Sequence, residues 1–125
     1  MGIRDSLAEI SSRGEWEKRE DTDVFCKTFS FTEIFPVFQG HFPGKPVLPA
    51  VVQCIMAEMT LEEMRNKSYR TEKIVQGKFL LPVVPPCLVQ CIVASDAPWA
   101  KARLFVEEKE VARIEWVYYE TEENI

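Results

Sequence analysis

The chain has 125 residues, which is enough for one domain around one hydrophobic core. Its 15 basic and 20 acidic residues give a formal net charge of −5, which excludes nucleic-acid binding through a general basic field. No apolar run is long enough to cross a bilayer, and the first residues lack the apolar core of a signal peptide. We therefore expect a cytoplasmic protein with no membrane partner.

The first sixteen residues predict a short amphipathic helix. Leu7 and Ile10 would share one face of it, and Asp5 or Ser6 is the expected cap at its start.

Residues 17–39 are predicted to form a connection, a strand and a loop. Residues 17–23 are charged and are expected to form a connection. From Val24 to Phe31 apolar and polar side chains alternate, which predicts a strand. Residues 32–39 are rich in aromatic side chains and broken by a proline, so we expect an irregular loop there. Phe35 and Phe38 are then expected to pack in the core or a tunnel wall.

A long helix is predicted from Ala50 to about Asn66. Pro49 suits a helix start, because its missing N–H costs nothing in the first turn. The first half of the helix is apolar nearly all round, which predicts burial on most sides. The second half is amphipathic and should emerge into solvent.

The remaining chain predicts β structure. The expected elements are a strand over 73–82, a rigid corner over 82–86, a strand over 88–94, and a hairpin of 99–107 with 111–120. One buried helix with about five antiparallel strands indicates an α+β fold, in which a sheet wraps a single helix. We expect one domain covering residues 1–125.

Four cysteines lie in apolar surroundings: Cys26, Cys54, Cys87 and Cys91. None belongs to a Cys-x-x-Cys pair, and reduced, buried thiols are a better interpretation than disulfides. One histidine with scattered cysteines does not supply zinc ligands at a suitable spacing, so we expect no metal and no other cofactor.

A ten-residue stretch from His41 to Ala50 carries the chemistry. It reads His-Phe-Pro-Gly-Lys-Pro-Val-Leu-Pro-Ala and contains the chain's single histidine. An imidazole titrates near neutral pH, and a helix N-terminus offers free N–H groups to a developing negative charge. Proton transfer on an acyl group is a reaction that suits this combination.

Residues 38–49 resemble the active-site segment of hotdog-fold (3R)-hydroxyacyl-[acyl-carrier-protein] dehydratases. Residues 77–85, Gly-Lys-Phe-Leu-Leu-Pro-Val-Val-Pro, resemble a strand and corner of the same family. The resemblance implies the hotdog fold, a long central helix wrapped by an antiparallel sheet. It implies an acyl-thioester substrate on acyl carrier protein or coenzyme A, in fatty acid or related lipid or polyketide synthesis. It also implies a homodimer or a higher even-numbered oligomer.

The family's mechanism carries over in part. His41 would be the base that removes the α-proton, and the Ala50 N–H would hold the thioester carbonyl. Phe42, Gly44 and Ile55 would lie against the substrate. The family's acid, an Asp or Glu on the helix, falls at Ile55, which cannot donate a proton.

Two side chains on the predicted helix could replace the acid. Glu58 lies about one turn beyond the position of the missing carboxyl, and its alternative role is a salt bridge or a solvated carboxylate. Gln53 could hold a hydroxyl group or a water molecule, and its alternative role is a structural hydrogen bond.

Two other functions compete with dehydration. A non-catalytic hotdog subunit could bind an acyl chain or carrier protein, or complete a partner's active site, and Ile55 favours this. A hotdog thioesterase is less favoured, because no carboxylate is evident beside the helix start.

A local basic cluster has two interpretations. Arg65, Lys67, Arg70, Lys73 and Lys78 lie close in sequence. They form either a solvated helix end and loop or a docking patch for an acidic partner, and the first is favoured.

Overall fold

The computed structural model describes residues 2–39, 44 and 46–121. Within them lie two α-helices, a 3-10 turn and six strands. Their bounds are α1 Ile3–Glu9, α2 Ala50–Arg65, the turn Pro36–Phe38, β1 Glu15–Arg19, β2 Thr22–Phe31, β3 Tyr69–Phe79, β4 Cys87–Asp96, β5 Trp99–Val106 and β6 Lys109–Glu120. In this part of the chain no helix is both long and apolar enough to cross a membrane.

The six strands form one sheet in the order β1-β2-β4-β5-β6-β3, and each neighbouring pair is antiparallel. The long helix α2 packs against one face of it, so the α+β expectation is confirmed. The short β1 and the long β3 are the two edges of the sheet, and both leave one side of the strand unpaired.

The core lies between α2 and the inner face of the sheet. Side chains from one side of the helix are buried against alternate residues of the strands. The main helix contributions are Val52, Met56, Ala57 and Leu61, and those of the sheet include Phe29, Val89, Leu104, Ile114 and Trp116.

The bounds predicted for α2 are confirmed. The helix begins at Ala50 and ends when Asn66 enters the left-handed region, with φ 53° and ψ 45°. Burial on most sides is wrong for the single chain, because Val51 is 65% exposed and Ile55 is only partly buried. One side of the helix is therefore left uncovered by the described residues.

The N-terminal expectation needs correction. The helix ends at Glu9, because the chain that follows pairs with β2: Ser12 N–H donates to Thr28 O at 2.8 Å, and Ser30 N–H donates to Ile10 O at 3.0 Å. Neither expected residue caps the helix, since Gly2 is the N-cap and Asp5 accepts a bond from its N–H at 3.3 Å.

The strand count was low by one, because residues 15–19 form β1 rather than a connection. The last hairpin turns at Glu107 and Glu108, so β6 begins at Lys109 instead of residue 111. Strand β3 begins at Tyr69, four residues before the expected start.

A buried lysine fastens the N-terminal segment to the end of α2. Lys27 Nζ donates to Ser12 O at 2.9 Å and to the Glu63 carboxylate. Glu63 Oε2 in turn accepts the N–H of Gly14 at 2.5 Å. Because Lys27 is 7% exposed, its charge depends on these partners.

Three phenylalanines, one from the end of β2 and two from residues 32–39, pack together in the core. Phe31, Phe35 and Phe38 meet edge to face, with ring centroids 5.0 to 6.2 Å apart. The core role expected for Phe35 and Phe38 is confirmed.

Candidate active site at the start of the central helix

The first turn of α2 carries backbone N–H groups that have no acceptor within the helix. Pro49 is extended, and its carbonyl accepts the N–H groups of Val52 and Gln53 at 3.1 and 3.2 Å. Among the described residues, no acceptor is found for the N–H groups of Ala50 and Val51. The positive end of the helix is therefore open to a negatively charged ligand atom.

The helix start is held in place by the corner that follows β3. Leu48 N–H donates to Val83 O at 2.8 Å, and Gln53 Nε2 donates to Leu48 O at 3.2 Å. Leu48 and Val83 are both almost completely buried. Leu48 is therefore hydrogen-bonded at both its N–H and its carbonyl, which holds the residue that leads into Pro49 and the helix start.

Gln53 is a buried side-chain amide whose nitrogen donates a hydrogen bond and whose oxygen is left over. Gln53 is 3% exposed, and its Oε1 has no hydrogen-bond partner among the described residues. A buried acceptor left unpaired costs about 1–3 kcal/mol. That oxygen could accept a bond from a hydroxyl group or a water molecule at the helix start.

The loop before the helix lies largely outside the described residues. His41 and Phe42 are not among them, so the roles expected for these two residues stay predictions. Gly44 has φ 90°, a conformation that L side chains rarely adopt. A glycine is therefore required at this point of the loop.

Ile55 occupies the place expected for the acid. It is partly buried and packs against the core. Five residues of helix place it about 7.5 Å along the axis from Ala50. A glutamate there would reach about 5 Å, through four bonds of about 1.5 Å or less, and could approach an acyl group bound at the Ala50 N–H. The isoleucine leaves that spot apolar.

Glu58 is held on the β3 side of the helix. Its Oε2 accepts the Thr71 hydroxyl at 2.6 Å, and its Oε1 lies 4.0 Å from an Arg4 nitrogen. It lines a small cavity of about 60 Å³ together with Cys54, Ile74 and other side chains. Eight residues of helix separate it from the helix start, about 12 Å along the axis.

Sequence reasoning did not identify the groups that hold Glu58. Thr71 and Arg4 come from β3 and α1, and nothing in their local sequence indicates a helix partner. The one sequence signal was their polar character beside apolar positions, which many surface residues share.

The cysteines are poor nucleophiles in this fold. All four are free thiols. Burial, and then the charge of Glu58, raises the pKa of Cys54. Burial raises the pKa of Cys91 to about 12. A thiol stays protonated well below its pKa, so covalent thioester chemistry at these residues is disfavoured.

Solved structures share this architecture. The dehydratase heterocomplex ApeI:P from Xenorhabdus doucetiae matches with a TM-score of 0.71 and 17% identity, over 83% of this chain and 93% of that chain. The yhdA protein of Lactococcus lactis, a suspected thioesterase, matches with a TM-score of 0.66 and 13% identity, over 97% and 98% of the two chains. At these identities the likeness shows the fold alone, and it is the hotdog fold.

The sequence comparisons give the family. Residues 17–119 match the ApeI-like family model, described as ApeI dehydratase, and the chain belongs to this family. A 3-hydroxyacyl-[acyl-carrier-protein] dehydratase FabZ from Sulfurovum sp. is 33% identical over 107 residues, 71% of this chain and 70% of the relative.

Other curated relatives match over a shorter stretch. FabZ from Ehrlichia chaffeensis is 38% identical over 66 residues, and FabZ from Aliarcobacter butzleri is 39% identical over 71 residues. Each match covers 47% of this chain. The chain spans 43% and 47% of the lengths of these two relatives, so their activity is not transferred to it directly.

Proposed function

We propose that the chain is a dehydratase-like lyase that removes water from 3-hydroxyacyl thioesters. The observation that carries the proposal is the match of residues 17–119 to a dehydratase family, on a fold in which no acceptor among the described residues is found for the Ala50 N–H. Acyl carrier protein or coenzyme A would carry the substrate, as the FabZ relatives' names suggest for the first.

The reaction divides among three groups. The thioester carbonyl accepts the Ala50 N–H, which stabilises the negative charge that develops on its oxygen. The His41 imidazole takes the α-proton, and the electron pair of the broken C–H bond forms the double bond to the β-carbon. The C–O bond at the β-carbon then breaks, and the hydroxyl leaves as water once it is protonated.

Ile55 cannot donate the proton that the leaving hydroxyl group needs. An acyl β-carbon lies two carbon–carbon bonds from the thioester carbon, so its hydroxyl stays within a few ångströms of the Ala50 N–H. Glu58 is about 12 Å along the helix from that point and is bonded to Thr71. A water held by the unpaired Gln53 oxygen, or a group from a partner subunit, satisfies the distance better.

We propose that two copies of the chain pair through β3. This edge strand exposes a run of apolar side chains in and just after it: Ile74, Val75, Phe79, Leu80 and Leu81. The opposite edge, β1, has five residues, four of them charged, which protects it from pairing. Antiparallel pairing of β3 with its copy would continue the sheet and cover the open side of α2.

The non-catalytic alternative stays open, and Ile55 favours it. In that case the chain would bind an acyl chain or complete a partner's site. The ApeI:P structure is described as a heterocomplex, a statement about that protein that makes a two-chain site worth testing here.

Hydration of a crotonyl thioester tests the proposal. The variants are wild type, His41→Ala, Ile55→Glu, the matched Ile55→Gln, and Glu58→Gln. Wild-type hydratase activity that falls about a hundredfold or more in His41→Ala supports the lyase. Wild-type turnover in a folded His41→Ala protein rejects the site.

The acid variants separate the remaining possibilities. Activity that appears or rises in Ile55→Glu but not in Ile55→Gln indicates intact machinery that lacks only its acid. Activity lost only in Glu58→Gln makes Glu58 the donor. No activity in any variant, together with tighter binding of butyryl than of 3-hydroxybutyryl thioester, favours the binding subunit. Release of free thiol indicates a thioesterase instead.

A further inference from the structure

The uncovered side of α2 carries an apolar stripe that begins at the helix start. Val51, Ile55 and Glu58 follow one another at intervals of four and three residues, so their side chains share one side of the helix. Val51 is 65% exposed, and Ile55 is partly buried. The stripe is therefore apolar from the first turn of the helix until it reaches Glu58.

A small cavity of about 60 Å³ continues the stripe between α2 and the sheet. Its lining comes from α2, β3 and β6: Cys54, Glu58, Thr71, Ile74, Ile114 and Trp116. All of these side chains except Glu58 and Thr71 are apolar. Because β3 runs back alongside α2, the two polar residues lie at the end of the cavity that is farther from the helix start. We call the stripe and the cavity together the α2 groove.

Polar contacts close the far end of the α2 groove. Glu58 Oε2 accepts the Thr71 hydroxyl at 2.6 Å, and Glu58 Oε1 lies 4.0 Å from an Arg4 nitrogen. Glu62, one turn further along the helix, accepts Arg4 at 2.5 Å and the Tyr69 N–H at 3.4 Å. A hydrocarbon that entered this end would displace these bonds and the water around the carboxylates, which is unfavourable.

We infer that the α2 groove holds the acyl chain of the substrate and that the Glu58–Thr71 pair sets the maximum length of this chain. The inference rests on the proposed function, because a thioester carbonyl at the Ala50 N–H fixes where the chain begins. Eight residues of helix separate Ala50 from Glu58, which is about 12 Å along the axis. An extended hydrocarbon advances about 1.3 Å per carbon, so a chain of about eight to ten carbons fills this distance.

The cavity lies where the last carbons of such a chain would be. Cys54 is about 6 Å along the axis from Ala50, and Glu58 is about 12 Å. Native cores leave few voids, because the atoms that line a void lose dispersion contacts. This void borders the buried Trp116, and no side chain of the described residues fills it. A hydrocarbon in the cavity would restore the missing contacts.

The proposed dimer would turn the groove into a tunnel. Pairing through β3 would bring the second copy of the chain over the uncovered side of α2, above Val51 and Ile55. An acyl chain enclosed in this way is removed from water on all sides, and the stabilisation grows with the apolar area that is buried. A second copy packed directly onto the stripe would leave no room for a chain, and binding would then not depend on chain length.

The test is calorimetric titration of the protein with saturated, straight-chain acyl thioesters of pantetheine that have four to twelve carbons. These ligands have no 3-hydroxyl group and no double bond, so their binding does not depend on catalysis. Each added methylene should tighten binding about three- to fourfold until the chain has about eight to ten carbons. Beyond that length the affinity should stop rising. Affinity that is independent of chain length, or that still rises at twelve carbons, would overturn the inference, as would no binding of any of these thioesters.

Tryptophan fluorescence shows where the chain ends. The chain has three tryptophans, and Trp16 and Trp99 are both more than half exposed. In a Trp16→Phe/Trp99→Phe protein the remaining signal comes from Trp116, beside the cavity. The decanoyl thioester should change this emission, and the butyryl thioester should not. An equal response to both, or a response to neither, would place the chain outside the α2 groove.

Two variants of one cavity residue test the room available for the chain. Cys54→Leu fills the cavity and should lower the limiting length by about two carbons or more. Cys54→Ala, the matched control at the same position, leaves the space open and should not lower it. An equal limit in wild type and a folded Cys54→Leu protein would contradict the inference.

A second pair of variants tests the polar end, so the inference stays testable if Cys54→Leu does not fold. Glu58→Ala/Thr71→Ala removes both polar side chains, and affinity should then rise through twelve carbons. The matched control is Glu72→Ala/Thr22→Ala, which changes an exposed acid in β3 and an exposed hydroxyl in β2 and should keep the wild-type limit. The same limit in both double variants would show that Glu58 and Thr71 do not set it.

This inference and the proposed function can fail separately. Binding that depends on chain length, in a protein that hydrates no crotonyl thioester, rejects the lyase and keeps the acyl groove. Hydration of the crotonyl thioester without any length limit keeps the lyase and rejects the role of the Glu58–Thr71 pair.

Discussion

The Thr71 hydroxyl donates a 2.6 Å hydrogen bond to Glu58 Oε2, which ties the middle of α2 to the edge strand β3. The same carboxylate is 4.0 Å from Arg4, in the N-terminal helix. Glu58 therefore links three elements, and this structural role competes with the acid role considered from the sequence.

We predict that Thr71→Val lowers the free energy of unfolding by about 1 kcal/mol, because it leaves a half-buried carboxylate without its hydroxyl donor. Thr71→Ser keeps the hydroxyl and should cost less than half as much. Chemical denaturation measures both variants. Thioester hydration should change less than about threefold in either, and a much larger loss in Thr71→Val would restore Glu58 as the acid.

We predict that the proposed dimer through the exposed edge strand β3 can be disrupted by a single substitution. Ile74 is 50% exposed on this edge strand, so Ile74→Glu should place a charge in the paired interface and shift the protein towards monomer. Light scattering at micromolar concentration measures this. The matched control is Leu88→Glu, which alters a residue 58% exposed in β4.

Two results would contradict the predicted interface. An even-numbered oligomer that survives Ile74→Glu but is broken by Leu88→Glu would place the interface on the other side of the sheet. A wild-type chain that is monomeric under the same conditions would reject the dimer itself.

An alanine at Gly14 is predicted to destabilise the fold. A Cβ added there would lie closer than 3.0 Å to the Phe25 ring and 2.6 Å from Glu63 Oε2. Gly14→Ala should therefore cost about 1–3 kcal/mol of unfolding free energy through overpacking and through strain on the Lys27–Glu63 pair. Thermal unfolding checks this against Gly2→Ala, where the nearest atom to the added Cβ is 3.9 Å away. Equal melting temperatures would contradict it.

The sequence predicted the bounds of α2 well because the signals for them are local. Pro49 marks the helix start, and the apolar run that follows requires a buried face. Since a helix has a fixed rise, the placement of Ala50 and Ile55 follows once the start is known. The partners of Glu58 could not be found this way, because they depend on how α1 and β3 pack around the helix.

The missed strand has a physical reason as well. Every residue of β1 is exposed, so no apolar alternation marks it. Its turn to β2 places Glu20 and Asp21 at φ 47° and 64°, and the last hairpin turn does the same with Glu107 and Glu108. Positive φ at two successive residues usually requires asparagine or glycine, so neither turn is recognisable from residue types.

The residue types in the turn between β5 and β6 are unfavourable for its backbone conformation, so replacing them should stabilise the protein. Glu107 and Glu108 lie at φ 49° and 67° in the two-residue turn between β5 and β6. Asn-Gly is the preferred pair for such a turn, so Glu107→Asn/Glu108→Gly should raise the free energy of unfolding by about 0.5–1 kcal/mol. Urea denaturation tests it. A lower midpoint than wild type would show that the acidic pair has a favourable contact in this turn.

The lowered pKa of Glu110 leads to a prediction of how the stability of the protein changes at low pH. Hydrogen bonds from Arg113 and then Arg103 lower its pKa from 4.5 to about 2. Because the folded pKa lies below the unfolded one, this carboxylate stabilises the fold above about pH 4.5. That contribution is lost as the pH falls towards 2. Both arginines are more than half exposed, so solvent screening limits the contribution to about 1–2 kcal/mol.

The measurement is unfolding free energy against pH for wild type, Glu110→Gln and Glu72→Gln, where Glu72 is an exposed acid in β3. Glu110→Gln should lose about 1–2 kcal/mol at neutral pH, and its curve should approach that of wild type as the pH falls from about 4.5 to about 2. Glu72→Gln should follow wild type throughout. If the Glu110→Gln curve instead stays parallel to wild type through this range, the charge of Glu110 contributes nothing to stability.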